Sequence, residues 1–343
     1  MRAMPVVLVR NFEIRKTKRQ TSFGALRVNL GKEGAYSEID AKIWDLDPLV
    51  EQGAALPAAG DLLEVEYRAE EYQGRPQWNI QRFRVLKAED CERYRELFIQ
   101  PERIDKGYYT ARLEELIEST RAERVYGMLV REIYDRAGFR DAFERAPAAC
   151  VHHQNYPGGL LEHTINVTTL ALALADSYAG PGRPGLTFNG AELPIDREAL
   201  IAAGLLHDIG KVHTYCFAPM AETTEINQWE GHLALGYAIV REHAAPLLRE
   251  APYPGAVDEV HKLLHCILSH HGSLEFGSPM VPACAEAFIL AQADVTDARL
   301  ADIASLAGEA LARNPETRWL GRNLHFPGGV FIGDWKRHGT GEG

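Results

Sequence analysis

The 343-residue sequence has few cysteines and no long apolar run. Its five cysteines are scattered and form no C-x-x-C pair, which argues against a disulfide framework and against a cysteine zinc site. No stretch approaches the roughly 18 apolar residues of a membrane span, and residues 1–10 lack the apolar core of a signal peptide. We therefore expect a soluble, cytoplasmic protein with no membrane partner, and its length suggests two domains.

An excess of basic charge is also absent, since the net charge is −11. Such a charge would disfavour a nucleic-acid partner if it were evenly spread. It is uneven: residues 1–34 have eight basic and two acidic residues, whereas residues 35–90 have six basic and twelve acidic residues. The basic segment supplies candidate phosphate contacts, although an ordinary solvated face is an open alternative. These candidates are Arg15, Lys16, Lys18 and Arg19.

Residues 1–90 alternate between apolar and polar side chains with a period near two, which predicts β-strands. The predicted strands span residues 5–9, 24–30, 37–44, 61–67 and 76–80. The Ala- and Pro-rich segment 46–58 has room for a short helix after the third strand, and this order is the plan of an OB-fold β-barrel. Tyr72, Trp78 and Phe83 are candidates for stacking on nucleic-acid bases. The alternative is that these rings fill the barrel core, because a small barrel needs large side chains inside.

The remainder of the chain has helical periodicity. We predict a helical connector over 91–150, an all-α domain over 151–312 and a Gly/Arg-rich tail over 313–343. The fold class is therefore α+β multidomain, with an N-terminal five-stranded OB-fold barrel and a C-terminal all-α domain. The sequence leaves open whether the chain forms a homo-oligomer.

Histidine is concentrated in the predicted all-α domain, where eleven of the thirteen histidines lie between His152 and His271. Imidazole and carboxylate are the side chains that hold first-row divalent metals. A single histidine on an apolar face is usually a hydrogen-bonded core residue, but seven candidate ligands in one domain are hard to explain in that way. These candidates are His163, His207, Asp208, His232, His270, His271 and Asp294.

The segment Leu205–Lys211 is the strongest local signal, because an apolar helix ends there in adjacent His207 and Asp208. Burying an unpaired carboxylate is costly, so Asp208 needs a cation. We expect Gly210 to let the helix end approach a substrate closely, and Lys211 to project toward whatever the metal binds. The alternative for Lys211 is a solvated charge at a helix end.

His207-Asp208, with His163 upstream and Asp294 downstream, resembles the HD superfamily of metal-dependent phosphohydrolases. His232 and the His270-His271 pair resemble its two-metal phosphodiesterase branch. Longer strings are similar to the YhaM-type 3′-to-5′ exoribonucleases, which place an OB-fold ahead of an HD domain. These strings are Gly158–Thr164, Leu205–Lys211, Ile267–Gly272 and Tyr72–Gln77. The resemblance covers most of residues 5–300, although His152–Pro157 is spaced differently and the tail after 312 lies outside it.

The resemblance implies two metal sites that share Asp208. The first would be formed by His163, His207, Asp208 and Asp294, and the second by Asp208, His232, His270 and His271. Asp297 follows Asp294 by one helical turn and would either orient a ligand histidine or contact substrate. Asp208 and Lys211 would be catalytic. The expected cofactors are two divalent ions, Mn²⁺ first, with Fe²⁺, Co²⁺ or Zn²⁺ as alternatives.

The expected activity is metal-dependent 3′-to-5′ hydrolysis of single-stranded nucleic acid, RNA first and DNA second, releasing nucleoside 5′-monophosphates. Two cations would activate a water molecule and clamp the phosphate oxygens. A second hypothesis is a phosphohydrolase or phosphodiesterase of free or cyclic nucleotides. A third is a nucleic-acid-binding protein with a silent HD domain.

Overall fold

The structure is a computed structural model. It describes residues 4–32, 38–44, 46–48, 55–72, 75–87, 94, 97–98, 104–150, 154–179, 187–192, 194–217, 221–322 and 326–333. The chain divides into two compact units: one comprises Met1–Pro101 with Phe217–Glu222, and the other comprises Glu102–Cys216 with Thr223–Gly343. None of the helices within the described ranges is long and apolar enough to cross a membrane.

The first unit contains a closed β-barrel with the strand order β1-β2-β3-β5-β4. Strands β3 and β5 pair in parallel, and the other neighbours are antiparallel. The strands are β1 (Val6–Lys16), β2 (Ser22–Asn29), β3 (Glu38–Ile43), β4 (Leu62–Tyr72) and β5 (Arg75–Val85). The predicted five-stranded barrel is therefore confirmed. Six of the thirteen residues of the segment predicted to carry a short helix, residues 49–54, lie outside the described residues.

Alternation along the strands decides which side chains fill the barrel. In β2, Leu26 and Val28 are buried while Arg27 between them is exposed, as a period of two requires. Trp78 in β5 is only 8% exposed and belongs to this core, and Phe83 packs against it. For these two rings the structure places the side chain inside the barrel.

The second unit is mainly helical, and its helices share one apolar core. They are α1 (Lys106–Ser119), α2 (Val125–Tyr134), α3 (Phe139–Arg145), α4 (Gly159–Ala179), α5 (Arg197–Leu206), α6 (Lys211–Thr214), α7 (Glu225–Trp229), α8 (Gly231–Arg249), α9 (Ala256–Ser269) and α10 (Ala285–Arg313). The predicted connector helices α1 and α2 belong to this unit. Helix α4 packs on α5 and α10, and α9 packs on α5, α8 and α10. This packing brings together the five segments that carry the candidate metal ligands.

Short strand pairs complete the described part of the chain. They are β6 (Thr187–Phe188) with β7 (Ala191–Glu192), β8 (Tyr215–Phe217) with β9 (Ala221–Thr223), and β10 (Trp319–Leu320) with β11 (Val330–Phe331). The β10–β11 pair belongs to the predicted tail, and Leu320 packs with the end of α10.

A partly buried arginine fixes the start of α5, the helix that leads to His207. Arg124 bonds to the carboxylates of Asp196, Glu198 and Glu259. Asp196 in turn caps α5 by accepting the backbone N–H groups of Glu198 and Ala199. Burial alone would raise the pKa of Asp196, but its bond with Arg124 outweighs burial and lowers that pKa. The charged cap anchors the helix whose other end enters the candidate site.

Candidate metal centre

Two helices end at the candidate site in the same way. Helix α5 is followed by His207 and Asp208, and α9 is followed by His270 and His271. The Nδ1–H of His207 donates to the carbonyl of Gly204, and that of His270 donates to the carbonyl of Ile267, both at 2.7 Å. A carbonyl can only accept, so the proton is on Nδ1 in both rings, and the lone pair of each Nε2 is available to a metal.

Asp208 lies between two groups of imidazoles and is almost fully buried. Its Oδ2 is 3.3 Å from Nε2 of His163 and 3.3 Å from Nε2 of His207. Its Oδ1 is 3.5 Å from Nε2 of His232 and 3.5 Å from Nε2 of His270. A single carboxylate therefore presents one oxygen to each group.

The first group consists of His163, His207 and Asp208, with Asp294 beside them. The two Nε2 atoms are 3.4 Å apart, and Oδ1 of Asp294 is 3.1 Å from Nε2 of His163. Ligand atoms of His163, His207 and Asp208 all lie within 4.8 Å of one another. Imidazole nitrogens and a carboxylate oxygen at such separations are suitable ligands, so the group could hold a metal ion.

The second group consists of His232, His270 and His271, whose ligand atoms also lie within 4.8 Å of one another. Nε2 of His232 is 3.2 Å from Nε2 of His271, whose Nδ1–H donates to the carbonyl of Phe276 at 2.8 Å. Nε2 of His270 and Oδ1 of Asp208 are buried, and neither has a hydrogen-bond partner among the described residues. Buried acceptors without donors fit a second divalent ion.

Charge around the two groups sets the protonation of the candidate ligands. Burial alone would lower the pKa of His163, but hydrogen bonds with Asp208, Asp294 and Asp297 outweigh burial and raise that pKa well above its usual value, so a metal ion bound there would displace a proton from this ring. Burial alone would raise the pKa of Asp208, but Lys211 and His207 outweigh it and hold the pKa of Asp208 well below its usual value. Burial also opposes ionisation of Asp294, and His163 reverses that effect, so the pKa of Asp294 is lowered. Burial lowers the pKa of His232 well below its usual value, which leaves this imidazole neutral at neutral pH. Carboxylates and neutral imidazoles are the forms that bind metal.

Lys211 differs from its expected position. Its side chain is buried, and its Nζ lies 2.6 Å from Oδ2 of Asp208. Burial alone would lower the pKa of Lys211, but the neighbouring Asp208 outweighs burial and the pKa is raised. The ammonium is therefore charged and paired with the shared carboxylate, which rules out the solvated helix-end alternative.

Asp297 lies where the sequence predicted an orienting carboxylate. Its Oδ2 accepts the Nδ1–H of His163 at 2.7 Å and an Nε2–H of Gln154 at 3.0 Å. Sequence reasoning missed Gln154, which is buried and has a left-handed backbone, φ +47°. Its only sequence signal is the unusual spacing before Gly158. His152 and His153, whose roles the sequence left open, lie outside the described residues.

Gly210 serves helix packing rather than the expected approach to a substrate. A Cβ added to Gly210 would lie 2.1 Å from the carbonyl oxygen of His232 and 2.7 Å from the backbone nitrogen of Gly236. Both contacts are backbone atoms of α8, so they cannot turn away as a side chain could. The absence of a side chain at position 210 lets α8 bring His232 to Asp208.

We expect Gly210→Ala to push α8 away from Asp208. The variant should lose about 1–3 kcal/mol of stability, as overpacked cores do, and it should bind the ion of the His232 group more weakly. Thermal unfolding and metal content per chain measure the two effects. Gly308→Ala is the matched control, because a Cβ there meets no atom within 4 Å. Equal behaviour of the two variants would contradict this role for Gly210.

The candidate nucleic-acid contacts divide into exposed and buried residues. Exposed positions in β1 and the following turn are occupied by Arg15, Lys16, Lys18 and Arg19, and Arg15 pairs with Glu13 at 2.7 Å. Tyr72, at the end of β4, is 55% exposed. Trp78 and Phe83 pack inside the barrel, so the prediction that these two rings stack on bases is corrected to the core alternative. Their strand positions turn both rings toward the barrel core, where Trp78 is almost fully buried and Phe83 is partly buried.

Five helical segments bring histidines and Asp294 around the carboxylate of Asp208, an arrangement typical of metal-binding helical domains. Residues 160–299 match the family model of the HD domain. This part of the second unit is therefore similar to the HD domain, and that similarity, together with the two groups of candidate ligands, implies dependence on a divalent metal.

More specific similarity extends over both units. The chain is 29% identical over 286 residues to the 3′-5′ exoribonuclease YhaM of Listeria monocytogenes, covering 82% of each chain. It is 28% identical, with the same coverage, to the YhaM enzyme of Listeria innocua. No solved structure matches the chain. The resemblance to YhaM-type exoribonucleases that the sequence motifs indicated is thereby confirmed.

Proposed function

We propose that this chain is a metal-dependent 3′-to-5′ exoribonuclease that removes nucleoside 5′-monophosphates from single-stranded RNA. The observation that carries the proposal is the buried carboxylate of Asp208, which faces one imidazole group with Oδ2 and another with Oδ1. The relatives named 3′-5′ exoribonuclease support the RNA substrate and the direction. Single-stranded DNA is the second substrate to test.

The two groups would hold two divalent ions. His163, His207, Asp208 and Asp294 would bind the first, and Asp208, His232, His270 and His271 the second. Two such ions, when bound, activate a water molecule and neutralise charge on the phosphate being cleaved. Mixed imidazole and carboxylate donors suit Mn²⁺, Fe²⁺, Co²⁺ or Zn²⁺ better than Mg²⁺, which prefers oxygen ligands, and Mn²⁺ is our first choice.

The chain's own side chains would prepare this site in three ways. Asp208 would stay ionised because Lys211 lies 2.6 Å from it. Asp297 would fix the ring of His163 by accepting its Nδ1–H, which keeps Nε2 free as a ligand. Lys211 would place a buried positive charge next to the shared carboxylate, where charge develops on the phosphate oxygens.

We also propose that the activity belongs to the cytoplasm. The proposal rests on the scattered cysteines and the absence of any C-x-x-C pair in the sequence, a cysteine usage that suits a reducing compartment.

A time course on single-stranded RNA with a labelled 5′ end tests the function. The wild-type protein is incubated with Mn²⁺, with EDTA, and with the matching DNA. We expect a labelled ladder that shortens stepwise from the 3′ end in Mn²⁺, unlabelled nucleoside 5′-monophosphates identified by chromatography, and no shortening in EDTA.

Internal cleavage, shortening from the 5′ end, or full activity in EDTA would each contradict the proposal. Hydrolysis of free or cyclic nucleotides without any shortening of RNA would favour the phosphohydrolase alternative. Binding of RNA without hydrolysis in the presence of Mn²⁺, Fe²⁺, Co²⁺ or Zn²⁺ would favour a nucleic-acid-binding protein with a silent HD domain.

A further inference from the structure

Three aromatic rings surround one lysine on the outside of the barrel. Nζ of Lys42 lies 4.7 Å from the ring centre of Tyr72, 5.2 Å from that of Trp44 and 5.9 Å from that of Phe23. The ring centres of Phe23 and Trp44 are 4.9 Å apart, and their planes are tilted by 32°. We call Phe23, Lys42, Trp44 and Tyr72 the lysine cage.

Strand register places the lysine cage on the outer surface. Lys42 lies in β3 between Ala41 and Ile43, both of which point into the barrel core. Because side chains alternate along a strand, Lys42 must point outward. It pairs with Ala25 of β2 on one side and with Asn79 of β5 on the other. The cage therefore lies in the middle of the β2-β3-β5 surface rather than at an edge.

Two rings of the cage present large faces to solvent. Trp44 is 42% exposed and Tyr72 is 55% exposed. A single exposed aromatic residue is ordinary and needs no explanation. Three rings within cation–π distance of one ammonium differ from that ordinary case. Such a group suits a nucleotide, because aromatic rings stack on the base and an ammonium binds the phosphate.

The cage opens into a cleft of about 610 Å³ on the same face. Lys42 and Tyr72 line this cleft, together with further charged residues. Those charged residues are Glu13, Arg15, Arg27 and Asp40. Glu13 is already paired with Arg15, and the three cations exceed the two carboxylates by one. Such a weak positive balance cannot hold a polyanion by charge alone, so ring stacking must supply much of any affinity for nucleic acid.

We propose that the lysine cage is a binding site for single-stranded RNA, in which bases stack on Trp44 and Tyr72 while Lys42 contacts a backbone phosphate. Phe23 packs against the ring of Trp44. The identity of the strand as RNA rests on the proposed function, whereas the stacking site rests on the geometry of the barrel. In this proposal, bases stack on Trp44 and Tyr72 and not on Trp78 or Phe83.

The test measures binding apart from hydrolysis. Affinity for a fluorescent RNA of about 12 nucleotides, a length within the range that one barrel covers, is determined by anisotropy in EDTA. Trp44→Leu and Tyr72→Leu should each weaken binding roughly 5- to 150-fold, the loss expected for one base stack. Trp44→Phe and Tyr72→Phe keep a ring and should retain most of the affinity.

Lys42→Gln should reduce the slope of log Kd against log salt by about 0.7, the effect of one phosphate contact on a single strand.

Two control variants test whether the loss of any exposed charge or any exposed ring would weaken RNA binding. Arg82→Gln removes an exposed positive charge of the same barrel, and Tyr178→Leu removes an exposed tyrosine of α4. Both should bind like the wild type.

The outcomes distinguish this inference from the proposed function. RNA binding that weakens in the leucine variants supports the cage even if the wild type fails to cleave RNA, which would defeat only the exonuclease. Unchanged binding in both leucine variants overturns the cage even if the wild type is an active exonuclease. If a leucine variant does not fold, photo-crosslinking of 4-thiouridine RNA to the wild type decides: crosslinks to the peptides of Trp44 or Tyr72 support the cage, and crosslinks only elsewhere overturn it.

Discussion

Asp208→Asn is expected to reduce RNA hydrolysis by about 1,000-fold or more, because metal ions supply several kcal/mol to such reactions and each 1.4 kcal/mol is a factor of ten in rate. The substitution keeps the shape of the side chain and removes the charge that both imidazole groups face. Metal content per chain, measured by mass spectrometry after gel filtration, should fall together with the activity. Activity and metal content like those of the wild type would remove Asp208 from the site.

Asp208→Asn also affects Lys211, the buried partner of Asp208, and a second substitution at Lys211 provides a control. Removing the charge of Asp208 leaves the buried ammonium of Lys211 without its counter-ion, and breaking a buried pair typically costs about 3–5 kcal/mol. The double variant Asp208→Asn with Lys211→Met removes both charges, so it should recover stability while staying inactive. Asp176→Asn, which changes an exposed carboxylate paired with Arg197, should be active. Recovery of activity in the double variant would mean that lost stability, rather than lost metal, had inactivated the single one.

His232→Gln is expected to lower the metal content from two ions per chain to one. It removes one of three imidazoles from the second group and leaves His163, His207 and Asp294 unchanged. The concentration of Mn²⁺ needed for half-maximal activity should rise at least about 10- to 100-fold, since even residues that only orient a ligand have effects of that size. The ion count and the Mn²⁺ dependence of hydrolysis are the two measurements.

The control for His232→Gln lies on the same helix. His243 also belongs to α8, but its Nδ1 bonds to Glu132 away from the site. His243→Gln should keep both ions and its Mn²⁺ dependence. An unchanged count of two ions in His232→Gln would show that the second group binds its ion without this histidine, and would contradict the assignment of His232 as a ligand.

The barrel and the candidate ligands that cluster around Asp208 could be predicted because both depend on local properties of the sequence. A period near two identifies strands wherever one face is buried, and this predicted all five barrel strands. Adjacent pairs such as His207-Asp208 and His270-His271 are unusual in apolar helices, so residue type alone indicated the ligands. Their convergence on Asp208 then followed from the resemblance to a known family.

The errors concern residues whose role depends on distant parts of the chain. Trp78 pairs with Ala41 across the β3–β5 contact and turns inward with it, and a shift of one residue in register would have exposed it. The cage could not be predicted, because Lys42 meets Tyr72 only after β4 and β5 close the barrel. Gln154 reaches Asp297 across 143 positions of sequence, with no local pattern to reveal the contact.

The central claim is that one buried carboxylate joins two metal sites, and anomalous diffraction from crystals soaked in Mn²⁺ tests it most directly. We predict two anomalous peaks on opposite sides of Asp208, one among His163, His207 and Asp294 and the other among the imidazoles of the second group. A single peak, or peaks that Asp208 does not touch, would contradict this claim.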